Sequence, residues 1–358
     1  MTEPVRVGLV IGQLTTGGAE GQLWLLCRAL DRARCRLTVY CLSDQTTPYG
    51  QQIAASGILL RVVSGGRLAR VRALRRWFAA DRIHVVHAWL FIANSFAWAA
   101  TRGSDQALVT SARNCKRQGR LLDLVNRQAF QASKAIVVNS ENVGAYIAKH
   151  YAAPGERLRV IYNGIDTERF RPLEPAAPTT AAPGPIVTVG RLVAQKNHEL
   201  FLRAAQRLAR EIPGLRFVIV GDGPLRPSLA AQAQRLGLSD RVVFAGELAD
   251  VSELLRGASL FWLTSRWEGL PNVVLEALAS GVPVVATDVG GTRELVRTGV
   301  DGFVVANEDQ DGFVRHSREL LNDPALRQRF REAARTRAEA FSIGQMVGAF
   351  ARLYEEVA

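Results

Sequence analysis

The sequence predicts an α/β protein with two domains, each a doubly wound parallel sheet with helices on its faces. Short apolar runs of strand length alternate with amphipathic helical stretches along most of the chain. The chain has 358 residues, which is enough for two domains of ordinary size. A single stretch rich in proline and alanine interrupts the alternation and separates the two halves.

That stretch, residues 171–185, contains five prolines and four alanines with almost no charge. It cannot build a core, so we expect it to be a linker. The expected N-terminal domain is 1–170 and the expected C-terminal domain is 186–341. A final helix is expected at 342–358.

Charge is distributed unevenly between the halves. The net charge is +12, and residues 1–165 carry 22 Lys and Arg against 9 Asp and Glu. This asymmetry predicts an anionic partner for the first domain alone. The segment 67–76 reads as a basic amphipathic helix that suits an anionic membrane surface, although a solvated arginine-rich face is the alternative. No nucleic-acid-binding motif accompanies the charge, so we expect no nucleic acid partner.

Other protein classes are disfavoured by the apolar and cysteine patterns. No segment approaches the ~20 apolar residues that span a bilayer, and the first residues lack the layout of a signal peptide. A cytoplasmic protein is therefore expected. The four cysteines show neither metal-ligand spacing nor a disulfide framework, so we expect reduced thiols and no metal site.

In the first domain, candidate residues lie where predicted strands end. The strands are expected at 5–11, 36–42, 58–63, 83–87, 107–111 and 135–140. Gly17 and Gly18 open the first helix after a loop that does not match G-x-G-x-x-G. His87, Arg113 and Asn114 close two further strands, at the edge where such sheets bind ligands. His84 is expected to be buried inside its strand.

In the second domain, the loops after three strands carry cations, glycines and an acid. Strands are expected at 186–190, 215–220, 241–245, 259–263 and 282–286. Two cations in one such loop can neutralise a diphosphate, and glycines allow close approach of the backbone to a ligand. The residues in these loops are Gly190, Arg191, Lys196, Gly221, Gly223 and Glu247.

The stretch 260–286 reads as strand, loop, helix and strand. Pro271 suits the start of the helix, and unpaired N–H groups at Asn272, Val273 and Val274 would seat a phosphate. Glu268 and Glu276 stand eight residues apart on either side of that seat. We expect them to accept hydrogen bonds from sugar hydroxyls; taken alone, they could equally be solvated glutamates.

These motifs together resemble one enzyme family. Glu268 to Glu276 resembles the E-x7-E signature of the retaining glycosyltransferases of family GT4, and the stretch from Gly190 to Asn197 resembles its G-R-L-x3-K-N element. Gly17 to Glu20 and Asn163 to Asp166 resemble two further elements. The resemblance implies the GT-B fold, in which two Rossmann-like domains face each other across a cleft. It also implies that the helix at 342–358 crosses back to the first domain.

The resemblance assigns roles to the candidate residues. The residues that would serve the reaction directly are Glu268, His87, Arg191 and Lys196. The residues that would face the acceptor are Gly18, His87, Arg113 and Asn114. The donor-binding set would be Gly17, Gly18, Gly190, Arg191, Lys196, Gly221, Gly223, Glu247, Glu268, Gly269, Leu270, Pro271, Asn272, Val273 and Glu276.

The implied reaction moves a sugar from a UDP- or GDP-linked donor to an acceptor hydroxyl. The configuration at the anomeric carbon is retained. The acceptor would be a glycan or lipid-linked glycan of cell-envelope or exopolysaccharide assembly, reached from the cytoplasmic face of the membrane. No metal or other cofactor would be needed. The alternatives are a soluble small-molecule glycosyltransferase, a sugar epimerase of the same fold, or a non-catalytic binding subunit.

Overall fold

Two parallel β-sheets organise the chain, one in each of two structural units. The computed structural model describes residues 3–172 and 183–358. One unit comprises Met1–Gly164 with Ile343–Ala358, and the other comprises Ile165–Ser342. The predicted α/β class with two doubly wound sheets is therefore confirmed. Most of the predicted linker, at 173–182, lies outside the described residues.

The first unit contains a seven-stranded sheet in the order β3-β2-β1-β4-β5-β6-β7. Its strands are β1 (Val5–Ile11), β2 (Cys35–Cys41), β3 (Leu59–Val62), β4 (Val85–Trp89), β5 (Ala107–Ala112), β6 (Ala135–Val138) and β7 (Leu158–Val160). All neighbours pair in parallel. Their carboxyl ends therefore meet at one edge, which is where Gly17, His87 and Arg113 were expected to gather.

Six helices connect these strands. They are α1 (Gly18–Ala29), α2 (Tyr49–Ala55), α3 (Arg67–Ala80), α4 (Leu90–Thr101), α5 (Arg120–Ala132) and α6 (Glu141–Tyr151). The sequence did not predict α2, which has only seven residues, or α5. Helix α5 was missed because its buried side includes the polar Asp123 and Asn126, which disguise the apolar period.

The prediction for His84 was wrong. Strand β4 begins at Val85, so His84 lies just before the strand, and its side chain is exposed. The His84 Nδ1 atom accepts a hydrogen bond from the backbone N–H of Arg6, at 3.3 Å. The alternation of the run 83–87 did not reveal which residue opens the strand.

Helix α3 is the predicted basic amphipathic helix. Its apolar face is used inside the unit, because Leu74 and Phe78 are fully buried and pack in the core beside β4. The arginines Arg72, Arg75 and Arg76 are exposed. The helix therefore presents charge to the solvent, together with Leu68, which is 73% exposed.

The second unit contains a six-stranded parallel sheet in the order β10-β9-β8-β11-β12-β13. Its strands are β8 (Ile186–Val189), β9 (Phe217–Val220), β10 (Val242–Gly246), β11 (Leu260–Leu263), β12 (Val284–Thr287) and β13 (Gly302–Val305). The helices are α7 (His198–Glu211), α8 (Arg226–Arg235), α9 (Ser252–Arg256), α10 (Asn272–Ala279), α11 (Thr292–Leu295), α12 (Gln310–Asn322) and α13 (Pro324–Glu339). Short 3₁₀ turns lie at Gly155–Arg157 in the first unit and at Ala194–Lys196 in the second.

The last helix, α14 (Ile343–Val357), belongs to the first unit. Its Phe350 and Tyr354 are fully buried in the core beneath β1 and β4. At its end, Glu355 accepts two hydrogen bonds from Arg34, at 2.8 and 2.6 Å. The chain thus leaves the first unit after Gly164 and re-enters it at Ile343.

Candidate active site

Most of the predicted site residues of the second unit lie in loops at the carboxyl edge of its sheet. The loops follow β8, β9, β11 and β12, which are neighbours in the sheet order. Parallel strands bring their carboxyl ends to one edge, so residues far apart in sequence become adjacent there. Hydrogen bonds between these loops then fix their positions.

The loops after β8 and β9 are joined through their backbones. The Gly190 N–H donates to the Val220 carbonyl at 2.9 Å, and the Leu192 N–H donates to the Asp222 carbonyl at 2.8 Å. Gly221 has a φ of +124°, and a Cβ there would collide with the carbonyl of Gly190. Glycine is required at position 221 because the two chains approach so closely.

Lys196 and Glu268 form an ion pair between the loops after β8 and β11. The Lys196 Nζ lies 2.6 Å from Glu268 Oε1, and the two side chains are 17% and 10% exposed. The Ser265 hydroxyl also donates to Glu268 Oε1, at 2.7 Å. The structure therefore brings the predicted diphosphate-binding cation and the predicted sugar-binding carboxylate into contact.

Backbone contacts lock the same two loops together. The Arg266 N–H donates to the Gln195 carbonyl at 2.8 Å, and the Thr264 hydroxyl donates to the Lys196 carbonyl at 2.9 Å. These contacts fix the backbone on both sides of the ion pair, so the pair does not depend on two flexible side chains alone.

Arg191 lies in the same loop as Lys196, and its side chain is exposed. Within residues 3–172 and 183–358, its guanidinium forms no ion pair. Its carbonyl lies 3.3 Å from Nε2 of His198, a buried side chain whose pKa burial lowers to about 4. His198 is therefore neutral at pH 7, and the loop carries its positive charge on Arg191 and Lys196.

The start of α10 is more occupied than the sequence suggested. The Val274 N–H, which was expected to be unpaired, donates to the Pro271 carbonyl at 3.1 Å. Pro271 itself precedes the first helical residue, with a φ of −75° and a ψ of 106°. The prediction for Val274 was wrong because a tight first turn uses this donor internally.

A glycine pair after β12 packs against the loop that carries Glu268. The Gly291 N–H donates to the Gly269 carbonyl at 2.7 Å. Gly290 has a φ of +54°, and a Cβ there would lie 2.6 Å from the carbonyl oxygen of Glu268. This packing places the loop after β12 directly against the backbone of Glu268 and Gly269.

Glu276 lies on α10 and is partly exposed. Its surroundings are nevertheless dense enough that burial raises the pKa of its carboxyl to about 7, although Arg169 and Lys196 act to lower it. Within the part of the chain that the structure describes, its carboxylate has no hydrogen-bond partner of its own. It is therefore available to accept hydrogen bonds from a ligand.

Glu247 follows β10 at the outer end of this edge, and its side chain is exposed. The preceding residue, Gly246, accepts a hydrogen bond from the Gly221 N–H at 2.7 Å. The loop after β10 is thereby tied to the loop after β9. The predicted donor-binding residues of this unit thus share one sheet edge.

In the first unit, His87 is enclosed. The side chain has no exposed surface, and its two ring nitrogens hydrogen-bond to the Tyr354 hydroxyl at 2.8 Å and the Ser111 hydroxyl at 2.6 Å. Burial holds the pKa of His87 well below its usual range. The ring is therefore neutral and occupied, and its predicted part in the reaction stays a prediction.

Gly17 and Gly18 lie at the start of α1, as expected. A Cβ on Gly17 would collide with the carboxylate of Glu20, which is itself only 7% exposed. Glu20 belongs to the motif that starts at Gly17, but the motif alone did not predict a role for it. A side chain at position 17 would therefore require the Glu20 carboxylate to move.

Arg113 and Asn114 follow β5 at the same edge. Arg113 is 7% exposed, and its Nη1 donates to Asn163 Oδ1 at 2.8 Å. Asn114 is partly exposed. Sequence reasoning placed both residues at this edge but did not identify Asn163 as the partner of Arg113.

The aspartates Asp309 and Asp311 form an Asp-x-Asp pair, a pattern that often binds metals. Asp309 caps α12 by accepting a hydrogen bond from the Gly312 N–H, and Asp311 pairs with Arg207. Both have structural partners. Among the described residues, no cluster of three or more histidines, cysteines or acids is arranged to hold a metal ion.

Comparison with known families identifies the chain. The model for "Glycosyl transferases group 1" matches residues 180–337, and the model for "Glycosyltransferase Family 4" matches residues 16–169. The chain belongs to the glycosyl transferases group 1 family. The resemblance seen in the sequence motifs is therefore confirmed.

Relatives of this group 1 chain include two bacterial proteins. It is 33% identical over 229 residues to the putative glycosyltransferase EpsD of Bacillus subtilis, covering 61% of this chain and 59% of EpsD. It is 30% identical over 232 residues to the UDP-Gal:alpha-D-GlcNAc-diphosphoundecaprenol alpha-1,3-galactosyltransferase of Escherichia coli, covering 62% and 60%. The alignments thus span about three fifths of each relative's length.

Solved structures support the same fold for this group 1 chain. HepE of Anabaena, crystallised with UDP, superposes with a TM-score of 0.88 at 21% identity, covering 98% of this chain and 100% of HepE. At this identity the likeness concerns the fold, which is GT-B.

Proposed function

We propose that the chain transfers a sugar from a nucleoside-diphosphate donor to an acceptor hydroxyl, with retention at the anomeric carbon. One observation carries this proposal: Arg191, Lys196, Glu268 and Glu276 share the carboxyl edge of one sheet. Two cations suit a diphosphate, and two carboxylates suit hydroxyl groups. The presence of UDP in the HepE structure supports a uridine donor.

In the proposed reaction the bond between the anomeric carbon and the diphosphate oxygen breaks while a bond to the acceptor oxygen forms, and the proton of the acceptor hydroxyl passes to the departing diphosphate. Negative charge develops on the departing diphosphate. Arg191 and Lys196 would stabilise that charge, and the N-terminal end of α10 would add its dipole. Glu268 would hold hydroxyls of the transferred sugar, and Glu276 would hold the ribose. Because these cations supply the neutralisation, we propose a reaction without a divalent metal.

The ion pair between Lys196 and Glu268 is part of the proposal. When a diphosphate binds beside Lys196, the Lys196 ammonium group would contact both the diphosphate and Glu268. The Glu268 carboxylate could then accept more hydrogen bonds from the sugar. The donor-binding set would be completed by backbone at Gly190, Gly221, Gly223, Gly269 and the start of α10, with Glu247 near the base.

The acceptor is proposed to be a glycan or a lipid-linked glycan of polysaccharide assembly. The galactosyltransferase relative is named for a diphosphoundecaprenol-linked acceptor, and EpsD is named a putative glycosyltransferase. Gly18, Arg113 and Asn114, at the edge of the first unit's sheet, would face this acceptor.

A thermal-shift screen of nucleotide sugars tests the donor assignment. We expect UDP-linked donors to raise the melting temperature, and Glu276→Ala to abolish the rise. Addition of EDTA should leave both binding and turnover unchanged. A protein that responds to no nucleotide sugar, or equally to free sugars, would contradict the proposal.

We also propose that the exposed arginines of α3 bring the enzyme to an anionic membrane surface. The described residues include no helix with the length and apolarity needed to cross a bilayer. In α3, Leu74 and Phe78 are buried and Leu68 is 73% exposed. Association through the exposed arginines would be electrostatic and sensitive to salt. In a flotation assay at low salt, the wild type should float with phosphatidylglycerol vesicles, and the triple variant Arg72→Glu/Arg75→Glu/Arg76→Glu should not. If the wild type does not float, the proposed membrane association is refuted.

A further inference from the structure

Buried polar atoms without partners gather at the carboxyl ends of three neighbouring strands in the first unit. Trp89 is the last residue of β4, Arg113 and Asn114 follow β5, and Asn139 follows β6. The register pairs Ala112 with Val138, so Arg113 and Asn139 leave the sheet side by side. We call these four residues the Arg113 cluster.

The unpartnered atoms include donors and acceptors. They are Trp89 Nε1, Arg113 Nε, Arg113 Nη2, Asn114 Oδ1 and Asn139 Oδ1. Buried polar groups almost always find partners in native proteins, because an unpaired one loses its hydrogen bonds to water without replacement. A group of such atoms at a ligand-binding edge therefore points to a ligand.

Arg113 is the most informative member. Its guanidinium lies 3.9 Å from the centre of the Trp89 ring, and burial lowers its pKa to about 9. Only Nη1 is used, by Asn163. Within the described ranges, no carboxylate lies within 4.0 Å of this guanidinium, although Glu20 is near enough to interact weakly. A buried cation without a counter-ion is costly unless a partner arrives.

Other arginines of this chain show which ligand atoms the unpartnered nitrogens of Arg113 suit. Arg34 donates to the Glu355 carboxylate through Nε and Nη2, at 2.8 and 2.6 Å. Arg61 donates to the Asp81 carboxylate through the same two atoms, at 2.8 and 2.7 Å. In Arg113 this same pair of nitrogens is vacant. The vacant fork matches two oxygens of a carboxylate or phosphate.

We propose that the Arg113 cluster binds a phosphate group carried by the acceptor substrate, an inference that rests on the proposed glycosyltransferase function. The Arg113 fork would take two phosphate oxygens, and the Trp89 indole N–H would donate to a third. Asn114 and Asn139 would accept hydrogen bonds from nearby acceptor hydroxyls. Asn114 is partly exposed, so the cluster reaches the surface there.

Calorimetric titration with inorganic pyrophosphate tests the subsite. The full-length protein is first saturated with UDP, so that the loops around Lys196 are occupied. We expect Arg113→Gln to weaken pyrophosphate binding by about tenfold or more, since a bidentate charged contact is lost. Arg120→Gln, the same change at an exposed position in the same unit, should stay within about twofold of the wild type.

A second variant guards against misfolding. Trp89→Phe keeps the aromatic ring under Arg113 and removes only the indole N–H, so we expect pyrophosphate binding to weaken several-fold. Arg113→Lys, which keeps the charge without the fork, should fall between the wild type and Arg113→Gln. Unchanged affinity in Arg113→Gln, or no pyrophosphate binding by the wild type, would overturn the proposal.

Two further probes identify the source of the phosphate. Tighter binding of a short-chain prenyl diphosphate than of pyrophosphate, lost in Arg113→Gln, would support a lipid carrier. Equal Arg113-dependent affinity for the two would support a phosphate borne on the glycan. Preference for glucuronate would overturn the phosphate assignment. Wild type that fails to bind UDP-sugars would defeat the proposed function, whereas the dependence on Arg113 decides the subsite separately.

Discussion

Lys196 and Arg113 occupy comparable places in two similar sheets, yet their surroundings differ. Each cation lies in the segment that follows a parallel strand. Lys196 is partly exposed and pairs with Glu268 at 2.6 Å. Arg113 is 7% exposed, stacks on Trp89 and forms no ion pair among the residues that the structure describes. The fold supplies the same location twice, and local side chains decide what each location does.

The same contrast extends to the neighbouring titratable groups. Glu276, near Lys196, is partly exposed and has a pKa raised by burial to about 7. His87, near Arg113, has no exposed surface and two occupied nitrogens. The edge of the second unit therefore holds polar groups that a ligand can rearrange. The edge of the first unit holds groups already committed, apart from the vacant atoms of the Arg113 cluster.

The largest expected effect comes from the carboxyl edge of the second unit's sheet, where Lys196 and Glu268 form an ion pair; we call it the paired edge. Lys196→Ala removes a cation proposed to neutralise the leaving diphosphate and leaves Glu268 without its counter-ion. We expect turnover of the donor sugar to fall by about 10²–10³. Steady-state kinetics of UDP release measures this effect, and Lys149→Ala, at an exposed lysine, is the matched control. Activity equal to the wild type in Lys196→Ala would break the comparison.

Glu276 predicts a pH dependence. Its carboxyl should be protonated below about pH 7 and ionised above it, and hydroxyl donors bind the ionised form more strongly. Donor affinity should therefore fall by about tenfold between pH 8 and pH 5.5. Titration of UDP at both values measures this, and Glu276→Gln should flatten the profile. A fall of the same size in Glu276→Gln would assign the titration to another group.

The sequence predicted which loops carry the site residues, but it did not predict which side chains contact each other. Glycines and charges after apolar runs correctly marked the loops after β8, β9 and β11, because the carboxyl edge of a parallel sheet follows from strand order alone. The contact between Lys196 and Glu268 could not be predicted, since it joins residues 72 positions apart through loop conformation. Periodicity also missed α5, whose buried Asp123 satisfies the Tyr151 hydroxyl at 2.6 Å.

Burial was the least predictable property. His84 and His87 alternate with apolar residues in one short run, yet one is exposed and the other fully enclosed. His84 lies just before β4, whereas His87 lies within it and is covered by Tyr354 of α14, more than 250 residues later in the sequence. A pattern confined to one strand carries no information about a helix that packs on it from the other end of the chain.

Gly290 tests whether the paired edge needs its tight backbone packing. Gly290→Ala forces a left-handed φ of +54° on alanine and places Cβ against the carbonyls of Gly269 and Glu268. We expect a loss of about 2–4 kcal/mol in the free energy of unfolding. Gly299→Ala is the control, because its φ of +81° is also positive but no atom lies within 4 Å of the added Cβ. Urea denaturation compares the two; equal losses would mean that the close approach is unimportant.

The smallest effect is expected at the carboxyl edge of the first unit's sheet, where His87 is fully buried. Tyr354→Phe removes the hydrogen bond to His87 Nδ1 and leaves the aromatic packing with Phe350 and His87 intact. If His87 serves the packing of α14, the free energy of unfolding should fall by about 1 kcal/mol while kcat stays near the wild-type value. A large loss of kcat with unchanged stability would instead give His87 the catalytic role that its position in the sequence suggested, and the contrast between the two edges would no longer hold.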